Sequence, residues 1–283
     1  MAQRVALVTG ATSGIGRACA LRLAADGFAV VVGGRSAERA AEVVDEITAG
    51  GGTATTALGD VAEPDYGDAA VAATVAAHGR LDVLVNAAGV ITRSDAEGTT
   101  DDEWHRVMST NVDGLFRASR AALPAIRAAG GGTIVNISST NGLVGGAGLA
   151  AYCGSKWALE GWAESLAHEM APLGVSVAIV EPASVRTGLW DAGSVHGDPD
   201  GPYASMLQAL EEGDSRAWAR ALDPNSVSAT MVSVVEGRRG LRHPIGLTAR
   251  ARFAARGVVP AGVHRRLIGR LTRHDPPVLS PRN

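Results

Sequence analysis

Tyr152 and Lys156 stand four positions apart, and Lys156 is the single lysine among the 26 basic residues of this 283-residue chain. On a helix, positions i and i+4 lie on one face, so the phenol and the ammonium would share one small volume. A nearby cation favours the phenolate and lowers the tyrosine pKa from about 10 towards neutrality, which makes the phenol a proton donor and acceptor at physiological pH. The same spacing also fits a Tyr/Lys pair on the exposed face of an amphipathic helix.

A second group of residues is the glycine-rich run from Thr9 to Gly16, which follows the apolar segment 5–8. Glycines allow a tight turn and let the backbone approach a pyrophosphate, which then binds the N–H groups and the positive dipole end of the next helix. Any junction between a strand and a helix favours glycine. The spacing Gly-x3-Gly-x-Gly directly after a strand pattern nevertheless predicts dinucleotide binding.

The residues after the second apolar segment indicate which dinucleotide is bound. A carboxylate there would accept hydrogen bonds from a free ribose hydroxyl and repel a 2′-phosphate. This chain instead has Gly33 and Gly34, followed by Arg35 and Ser36. A small residue followed by a cation favours NADP(H), since a charge-assisted contact between Arg and phosphate contributes about 1.5–3 kcal/mol. The alternative is that Arg35 is a solvated residue at the start of the next helix.

The elements that would position these residues form a repeated alternation of strands and helices. Apolar segments predict six strands, at 5–8, 29–32, 53–58, 81–85, 133–137 and 175–180. The intervening patterns predict helices at about 15–25, 37–49, 64–78, 100–128 and 150–173. Such an alternation is typical of a Rossmann-type doubly wound α/β fold, with a parallel sheet between two helical layers. We expect one catalytic domain over 1–237, with a substrate lid at about 188–224, and a C-terminal extension over 238–283 packed on or near it.

Composition and charge restrict the class of partner and the compartment. The net charge of −3 gives no argument for nucleic acid, and the seven histidines show no ligand spacing, so no metal is expected. Cys19 and Cys153 lie in predicted helices, which favours a reducing compartment over a disulfide framework. The sequence shows neither a membrane-length apolar run nor a signal-peptide layout, and we therefore expect a cytoplasmic protein.

The C-terminal segment 238–283 differs in charge from the rest of the chain, because it carries 11 Arg and a single acidic residue. Seven of these arginines alternate with apolar residues: Arg250, Arg252, Arg256, Arg265, Arg266, Arg270 and Arg273. One interpretation is a basic amphipathic element that touches a membrane surface or an acidic partner. The interpretation that we favour is an arginine-rich helix covering the acidic body of its own protein or of an oligomer partner.

Four motifs now stand in order along the chain: the Gly10/Gly14/Gly16 turn, Asn86-Ala87-Ala88-Gly89, Ser138-Ser139 and Tyr152-x3-Lys156. Together they resemble the short-chain dehydrogenase/reductase family over about residues 4–190. The resemblance implies that Ser139, thirteen positions before Tyr152, is the catalytic serine. It also implies that Asn111 holds a water for a proton relay, although an Asn in that place also fits a residue that bonds helix backbone. Tyr152 would be the general acid/base, and Lys156 would hold the nicotinamide ribose.

The family resemblance and the motifs give a set of expected cofactor-binding residues. They are Gly10, Thr12, Ser13, Gly14, Ile15, Gly16, Arg35, Ser36, Asp60, Val61, Asn86, Ala87, Gly89, Tyr152, Lys156, Pro182, Val185 and Thr187. The chain departs from the family at Ala183, where a glycine is usual, so either this turn uses an ordinary φ or the nicotinamide pocket is altered. It also departs at Ser13, where some NADP-preferring members have a basic residue. Arg35, with Arg39 one turn later, is therefore the expected phosphate determinant.

The expected substrate-binding residues are Ser139, Leu143, Val144, Leu149, Leu189 and Trp190. Apolar residues at 203, 206, 207 and 210 have helical spacing, and they fit either a substrate wall in the lid or an ordinary amphipathic helix. We expect hydride transfer between NADP(H) and a lipophilic ketone or secondary alcohol. The alternatives are a non-catalytic NADP(H)-binding sensor or scaffold, and an NAD-linked alcohol dehydrogenase. By resemblance, the two long helices favour a homodimer or homotetramer, and the Ala- and Arg-rich composition suggests a GC-rich bacterial genome, where such enzymes often serve secondary metabolism.

Overall fold

A computed structural model of the chain describes residues 2–189, 195–237, 240–255 and 263, without the side chains of 213–217 and 255. The predicted substrate residue Trp190 lies outside the described residues. The same holds for the tail residues Arg256, Arg265, Arg266, Arg270 and Arg273.

The described chain contains nine strands, seven of them in one sheet. They are β1 (Val5–Thr9), β2 (Ala29–Gly34), β3 (Thr53–Leu58), β4 (Val83–Asn86), β5 (Arg93–Ser94), β6 (Gly132–Ile137), β7 (Val175–Pro182), β8 (Val195–His196) and β9 (Arg242–Ile245). The seven-stranded sheet has the order β3-β2-β1-β4-β6-β7-β9, and its strand pairs are all parallel. The short strands β5 and β8 pair with each other away from this sheet.

Helices cover both faces of the sheet. They are α1 (Gly14–Ala25), α2 (Ala37–Ala49), α3 (Tyr66–His78), α4 (Asp101–Met108), α5 (Gly114–Ala128), α6 (Ala150–Met170), α7 (Ala204–Ala219), α8 (Pro224–Val235) and α9 (Leu247–Ala255). A π-helical turn, Ser109–Asp113, joins α4 to α5 without a break. In the part of the chain that the structure describes, no helix is long and apolar enough to cross a membrane.

Two apolar layers form because alternate strand residues point to opposite faces of the sheet. In β1, Ala6 and Val8 pack into a layer with residues of α1 and α8, whereas Val5 and Leu7 pack into a layer with residues of α3, α5 and α6. Burial on both faces explains why β1, β2, β4, β6 and β7 read as largely apolar runs. The three-layer parallel arrangement confirms the predicted fold class.

The sheet positions three of the four sequence motifs at one edge. The glycine turn, Asn86–Gly89 and Ser138-Ser139 stand at the carboxyl ends of β1, β4 and β6, which are neighbours in the sheet. The chain reverses its winding between β1 and β4, and in open α/β sheets ligands bind in the crevice outside the strand ends at such a point.

The structure differs from the prediction at the C-terminal end of the domain. The segment Arg242–Ile245 forms β9 and pairs with β7, so the sheet extends past residue 237, where we expected the domain to end. The sequence pattern does not show this strand because Arg242, His243 and Pro244 break the apolar run. Proline is tolerated here because β9 is the outermost strand of the described sheet. The following helix, α9, lies against β9 and the turn 140–142.

Candidate active site

The face of α6 that looks towards the strand ends carries Tyr152 and Lys156. Both side chains are buried, and Lys156 Nζ lies 5.8 Å from the centre of the Tyr152 ring. The Lys156 ammonium donates a hydrogen bond of 2.8 Å to the carbonyl oxygen of Ile137, the last residue of β6. The two groups therefore share one volume, as their spacing predicted, and α6 is tied to the end of β6.

The acid–base state of this pair differs from the prediction. Burial raises the pKa of Tyr152 to about 12, although its hydrogen bond with Ser139 lowers it. Burial lowers the pKa of Lys156 to about 8, against the carboxylate of Glu160, which raises it. The expected lowering of the tyrosine pKa by Lys156 is thus not found in this geometry, in which desolvation of the phenolate dominates. At neutral pH the phenol is protonated.

Ser139 lies between the end of β6 and a short 3₁₀ turn, Thr140–Gly142. Its hydroxyl accepts a 3.1 Å hydrogen bond from the Asn141 N–H and also bonds the Tyr152 phenol. The side chain of its neighbour Ser138 instead is buried and bonds Glu160. Of the two adjacent serines, only Ser139 therefore contacts Tyr152.

Asn111 stands within the π-helical turn, where both amide N–H groups and one lone pair of Oδ1 form hydrogen bonds. Oδ1 accepts a 2.8 Å hydrogen bond from the Val90 N–H, while Nδ2 donates to the Val90 carbonyl and the Ser155 hydroxyl at 2.9 Å each. The side chain thus fastens the segment after β4 to α6. A water in a proton relay would bind the main chain of this turn or the second lone pair of Oδ1, and π turns are frequent at functional sites.

The glycine turn provides a positive, open helix end. Gly10 has φ +66°, and a Cβ on it would lie 2.7 Å from Ala88 Cα. A Cβ on Gly16 would collide with the Gly10 carbonyl oxygen. Ser13 precedes α1, its side chain makes no capping hydrogen bond in the described structure, and the first turn has no acidic residue. The uncapped N–H groups of Gly14, Ile15 and Gly16 fit the pyrophosphate of a dinucleotide.

The end of β2 combines close packing with an exposed cation. A Cβ on Gly34 would lie 2.5 Å from Thr12 Cγ2, so the packing of the turn favours a glycine there. Arg35 follows with a side chain that is 72% exposed, and its Nη1 lies 3.3 Å from Asp60 Oδ2. Ser36 caps α2 by accepting a hydrogen bond from the Arg39 N–H. The guanidinium therefore stands at the rim of the crevice beside one carboxylate.

Three of the expected cofactor-binding residues have side chains that lie in the interior. Asn86 Nδ2 donates to Ser119 Oγ and Asn136 Oδ1 at 2.9 Å each, and thereby links β4 to α5 and β6. Val61 and Val185 pack in the two apolar layers. Any contact of these residues with a cofactor would therefore have to come from the backbone.

The segments after β4 and β7 approach the glycine turn and Lys156. Thr9 Oγ1, which the sequence did not single out, accepts hydrogen bonds from the N–H groups of Ala87 and Ala88 at 3.2 and 3.4 Å. A Cβ on Gly89 would lie 3.9 Å from Lys156 Nζ, and one on Gly14 would lie 3.0 Å from Thr187 Cγ2.

The departure at Ala183 has a structural explanation in β9. The Ala183 N–H donates a 3.0 Å hydrogen bond to the carbonyl of Ile245, which continues the pairing that ends at Pro182 in β7. The positive φ in this region is taken by Gly246, at +90°. Strand β9, which the sequence did not predict, thus fixes the backbone of Ala183 just after the end of β7.

An apolar wall adjoins the Tyr152 ring. Ile91, Leu149, Cys153 and the half-buried Leu189 form one cluster with Tyr152. Leu149 and Leu189 were expected here, whereas Ile91 and Cys153 were not. Ile91 belongs to no motif in the sequence. Cys153 lies four positions after Leu149, and this helical spacing could have indicated that the two residues share one face.

The other described residues that were expected to bind the substrate are not part of this apolar cluster. Leu143 is buried and Val144 half-buried after the 3₁₀ turn, and the structure does not include them in the apolar cluster. The helix predicted around residues 203–210 is present as α7, and a Cβ on Gly148 would collide with its Leu210 side chain. Gly148 directly precedes Leu149, so α7 lies beside the wall. A depression of about 530 Å³ between β8 and α7 is lined by none of the expected catalytic residues.

The family model for short chain dehydrogenases matches residues 4–194 of this chain. The chain belongs to the short-chain dehydrogenase family. It is therefore an oxidoreductase of a family that uses NAD or NADP with small-molecule alcohols and ketones. The structure of a short-chain dehydrogenase from Streptomyces avermitilis is 33% identical to this family member, with a TM-score of 0.79, over 96% of this chain and 95% of that one.

Other members of the family that are similar to this one have assigned substrates or a bound cofactor. A trans-4-hydroxycyclohexanecarboxylate dehydrogenase from Sinomonas cyclohexanicum is 39% identical over 193 residues, which are 66% of this chain and 74% of the relative. A cyclohexanol dehydrogenase from an Acinetobacter species is 39% identical over 187 residues, with the same coverage. A metagenomic short-chain oxidoreductase in complex with NADP is 31% identical, with a TM-score of 0.69, over 87% of this chain and 99% of that one.

Proposed function

We propose that this short-chain dehydrogenase transfers a hydride between NADP(H) and a lipophilic ketone or secondary alcohol, with Tyr152 as the general acid/base. The observation that carries the proposal is the hydrogen bond between Ser139 and Tyr152, with the Lys156 ammonium 5.8 Å from the centre of the Tyr152 ring and an apolar wall beside them. A protein that only binds a dinucleotide has no need of a proton-transfer group at that place.

The chain's own residues supply binding, orientation and the proton. When bound, the reduced nicotinamide supplies a hydride to the carbonyl carbon. Ser139 donates a hydrogen bond to the carbonyl oxygen and stabilises the negative charge that develops there. Tyr152 gives its phenolic proton to the same oxygen, which completes the alcohol. Lys156 binds the ribose and stabilises the tyrosinate that remains.

The protonated phenol of Tyr152 is the form that the reductive reaction uses. Because burial holds the pKa of the phenol at about 12, the group stands ready to donate rather than accept a proton at neutral pH. The reverse reaction needs the phenolate, whose formation the buried site opposes.

Arg35 supports the preference for NADP(H). Its guanidinium is exposed at the rim of the crevice, one residue after the two glycines and next to the N-terminus of α2. A second candidate, an NAD-linked alcohol dehydrogenase, is favoured by the Asp60 carboxylate 3.3 Å from Arg35, since that carboxylate offsets part of the charge.

The substrate class follows from the wall beside Tyr152. Ile91, Leu149 and Leu189 are aliphatic, and together they offer an apolar surface rather than hydrogen-bonding groups to a substrate. Two similar proteins carry names of dehydrogenases for hydroxylated cyclohexane rings. We therefore propose alicyclic ketones and their secondary alcohols as the first substrates to test.

The cofactor preference is tested by Arg35→Ala. We expect it to weaken NADPH binding by roughly 10-fold or more, the value of one charge-assisted contact, and to leave NADH binding nearly unchanged. Arg22→Ala is the matched control, since it removes the same charge from the far end of α1, where Arg22 pairs with Asp26. Equal weakening of both cofactors by Arg35→Ala would contradict the phosphate assignment and favour the NAD-linked candidate.

A further inference from the structure

A buried carboxylate lies one helical turn beyond Lys156. Glu160 on α6 is 2% exposed, and its Oε1 accepts a 2.5 Å hydrogen bond from the hydroxyl of Ser138. Its Oε2 forms an ion pair with Nη1 of Arg242 from β9. Neither Glu160 nor Arg242 has a place in the reaction described above, and burying a charged pair is costly unless its geometry is well satisfied.

Arg242 also forms ion pairs with two further carboxylates. Its Nη2 lies 2.8 Å from Glu164 Oε2 on α6, and its Nη1 lies 3.5 Å from Glu181 Oε1 on β7. Glu181 is fully buried, and burial together with the charge of Glu160 raises its pKa to about 8. Two buried carboxylates therefore share one guanidinium, which itself is only 11% exposed.

We propose that Glu160 is a positioning residue of the active site, which holds the turn at Ser138 and Ser139 in place and keeps its negative charge near Lys156. Arg242 holds the carboxylate in this orientation, and so connects the edge strand β9 to the catalytic helix.

The first part of the proposal rests on the backbone that precedes Ser139. Lys156 holds the Ile137 carbonyl, the Ser138 N–H bonds the Val180 carbonyl at 2.8 Å, and Glu160 holds the Ser138 hydroxyl. Two successive turns of α6 thus fix the two residues before Ser139. Loss of the Glu160 contact would leave a buried hydroxyl without its partner and free the turn that aims Ser139.

The second part rests on charge. Burial lowers the pKa of Lys156 to about 8, and the Glu160 carboxylate opposes this shift. The axial rise from Lys156 to Glu160 is about 6 Å, and that to Glu164 is about 12 Å. Charged groups that the described structure places around Glu160 include Arg242 on β9, Glu181 on β7, and Glu164, which shares Arg242, on α6 itself. Glu164 is half exposed, so solvent screens it from Lys156.

The experiment uses the fact that Lys156 is the only lysine. A lysine-free tag and selective ¹³C labelling of lysine give a single side-chain signal in NMR spectra, whose pH titration reports Lys156 directly. We expect the midpoint to move to lower pH in Glu160→Gln. The matched control Glu164→Gln removes the same charge from the same arginine, and its midpoint should stay at the wild-type value. Equal shifts in both variants, or no shift in Glu160→Gln, would overturn the charge role.

Two more variants separate position from charge. Ser138→Ala and Glu160→Asp both retain the negative charge at position 160 but lose the hydrogen bond between the two side chains. Both should therefore lower turnover by about tenfold, as expected for one lost charge-assisted hydrogen bond. Their lysine titrations should resemble wild type. Wild-type turnover in Ser138→Ala would overturn the positioning role. If Glu160→Gln fails to fold, these two variants still decide the positioning role.

The turnover readout rests on the proposed function, whereas the lysine titration needs neither substrate nor cofactor. If wild type reduces no ketone, the proposed function fails, and the titrations of Glu160→Gln and Glu164→Gln still decide whether the Glu160 carboxylate acts on Lys156.

Discussion

At the scale of single residues, the central feature is the burial of Tyr152 and Lys156 in one small volume. Burial moves the pKa of each group towards its neutral form, up for the phenol and down for the ammonium. The phenol at a pKa of about 12 keeps its proton over the whole physiological range. The lysine, at about 8, is therefore the group of this pair that titrates near neutrality.

This assignment predicts the pH dependence of the reductive reaction. A lysine is charged below its pKa, so cofactor binding and kcat/KM should be constant at neutral pH and fall as the pH rises through about 8. In Lys156→Arg the guanidinium stays charged, so this basic limb should vanish. The activity of Lys156→Arg should also be lower than that of wild type, because a planar guanidinium replaces the compact ammonium. A limb near pH 8 that persists in Lys156→Arg would show that another group titrates there.

At the scale of elements, the turn between β1 and α1 depends on close backbone approach. A Cβ on Gly16 would collide with the backbone carbonyl of Gly10, which cannot rotate away as a side chain can. The turn thus combines tight packing with an uncapped helix end.

Gly16→Ala should destabilise the protein by about 1–3 kcal/mol, the cost of overpacking, and weaken dinucleotide binding. The control is Gly161→Ala, an exposed position inside α6 where a Cβ meets nothing within 4 Å. That change should raise the free energy of unfolding by about 0.5–1 kcal/mol, because alanine is the better helix former. Urea denaturation measures both, and a Gly16→Ala protein as stable as wild type would show that the turn can shift.

The bounds of several elements and the placement of the catalytic pair could be predicted from the sequence, because they depend on patterns within short segments of the chain. α2 and β3 begin and end where their periodicity indicated, and the i, i+4 spacing of Tyr152 and Lys156 placed both groups on one helix face. The edge strand β9 was missed because Arg242 faces carboxylates on α6 and β7, whose proximity depends on tertiary packing. The direction of the Tyr152 pKa shift was missed for the same reason, since desolvation depends on everything that surrounds the ring.

At the scale of the whole molecule, the helices α4, α5 and α6 present large aromatic residues to solvent. Trp104, Phe116 and Trp157 are 43%, 40% and 48% exposed, and Phe116 packs edge-to-face on Trp162 with ring centres 6.2 Å apart. Exposed apolar patches of this kind mark association surfaces. We therefore propose that this face forms the homodimer or homotetramer interface.

Phe116→Arg should reduce the assembly to a smaller species, because it replaces an exposed aromatic side chain of that face with a charged one. Light scattering coupled to gel filtration measures the mass. Leu58→Arg is the control, since Leu58 is 50% exposed on the opposite edge strand β3 and should leave the mass unchanged. An unchanged mass in Phe116→Arg would remove α5 from the interface.

The role of Tyr152 as proton donor is tested most directly by measuring the oxidation of NADPH by wild type and Tyr152→Phe with a series of alicyclic ketones. Wild type should consume NADPH, and the variant should bind it equally well but turn over at least about 100-fold more slowly, since a general acid contributes roughly 10²–10⁴ in rate. Residual activity above about 10% of wild type would contradict the role of Tyr152 as proton donor.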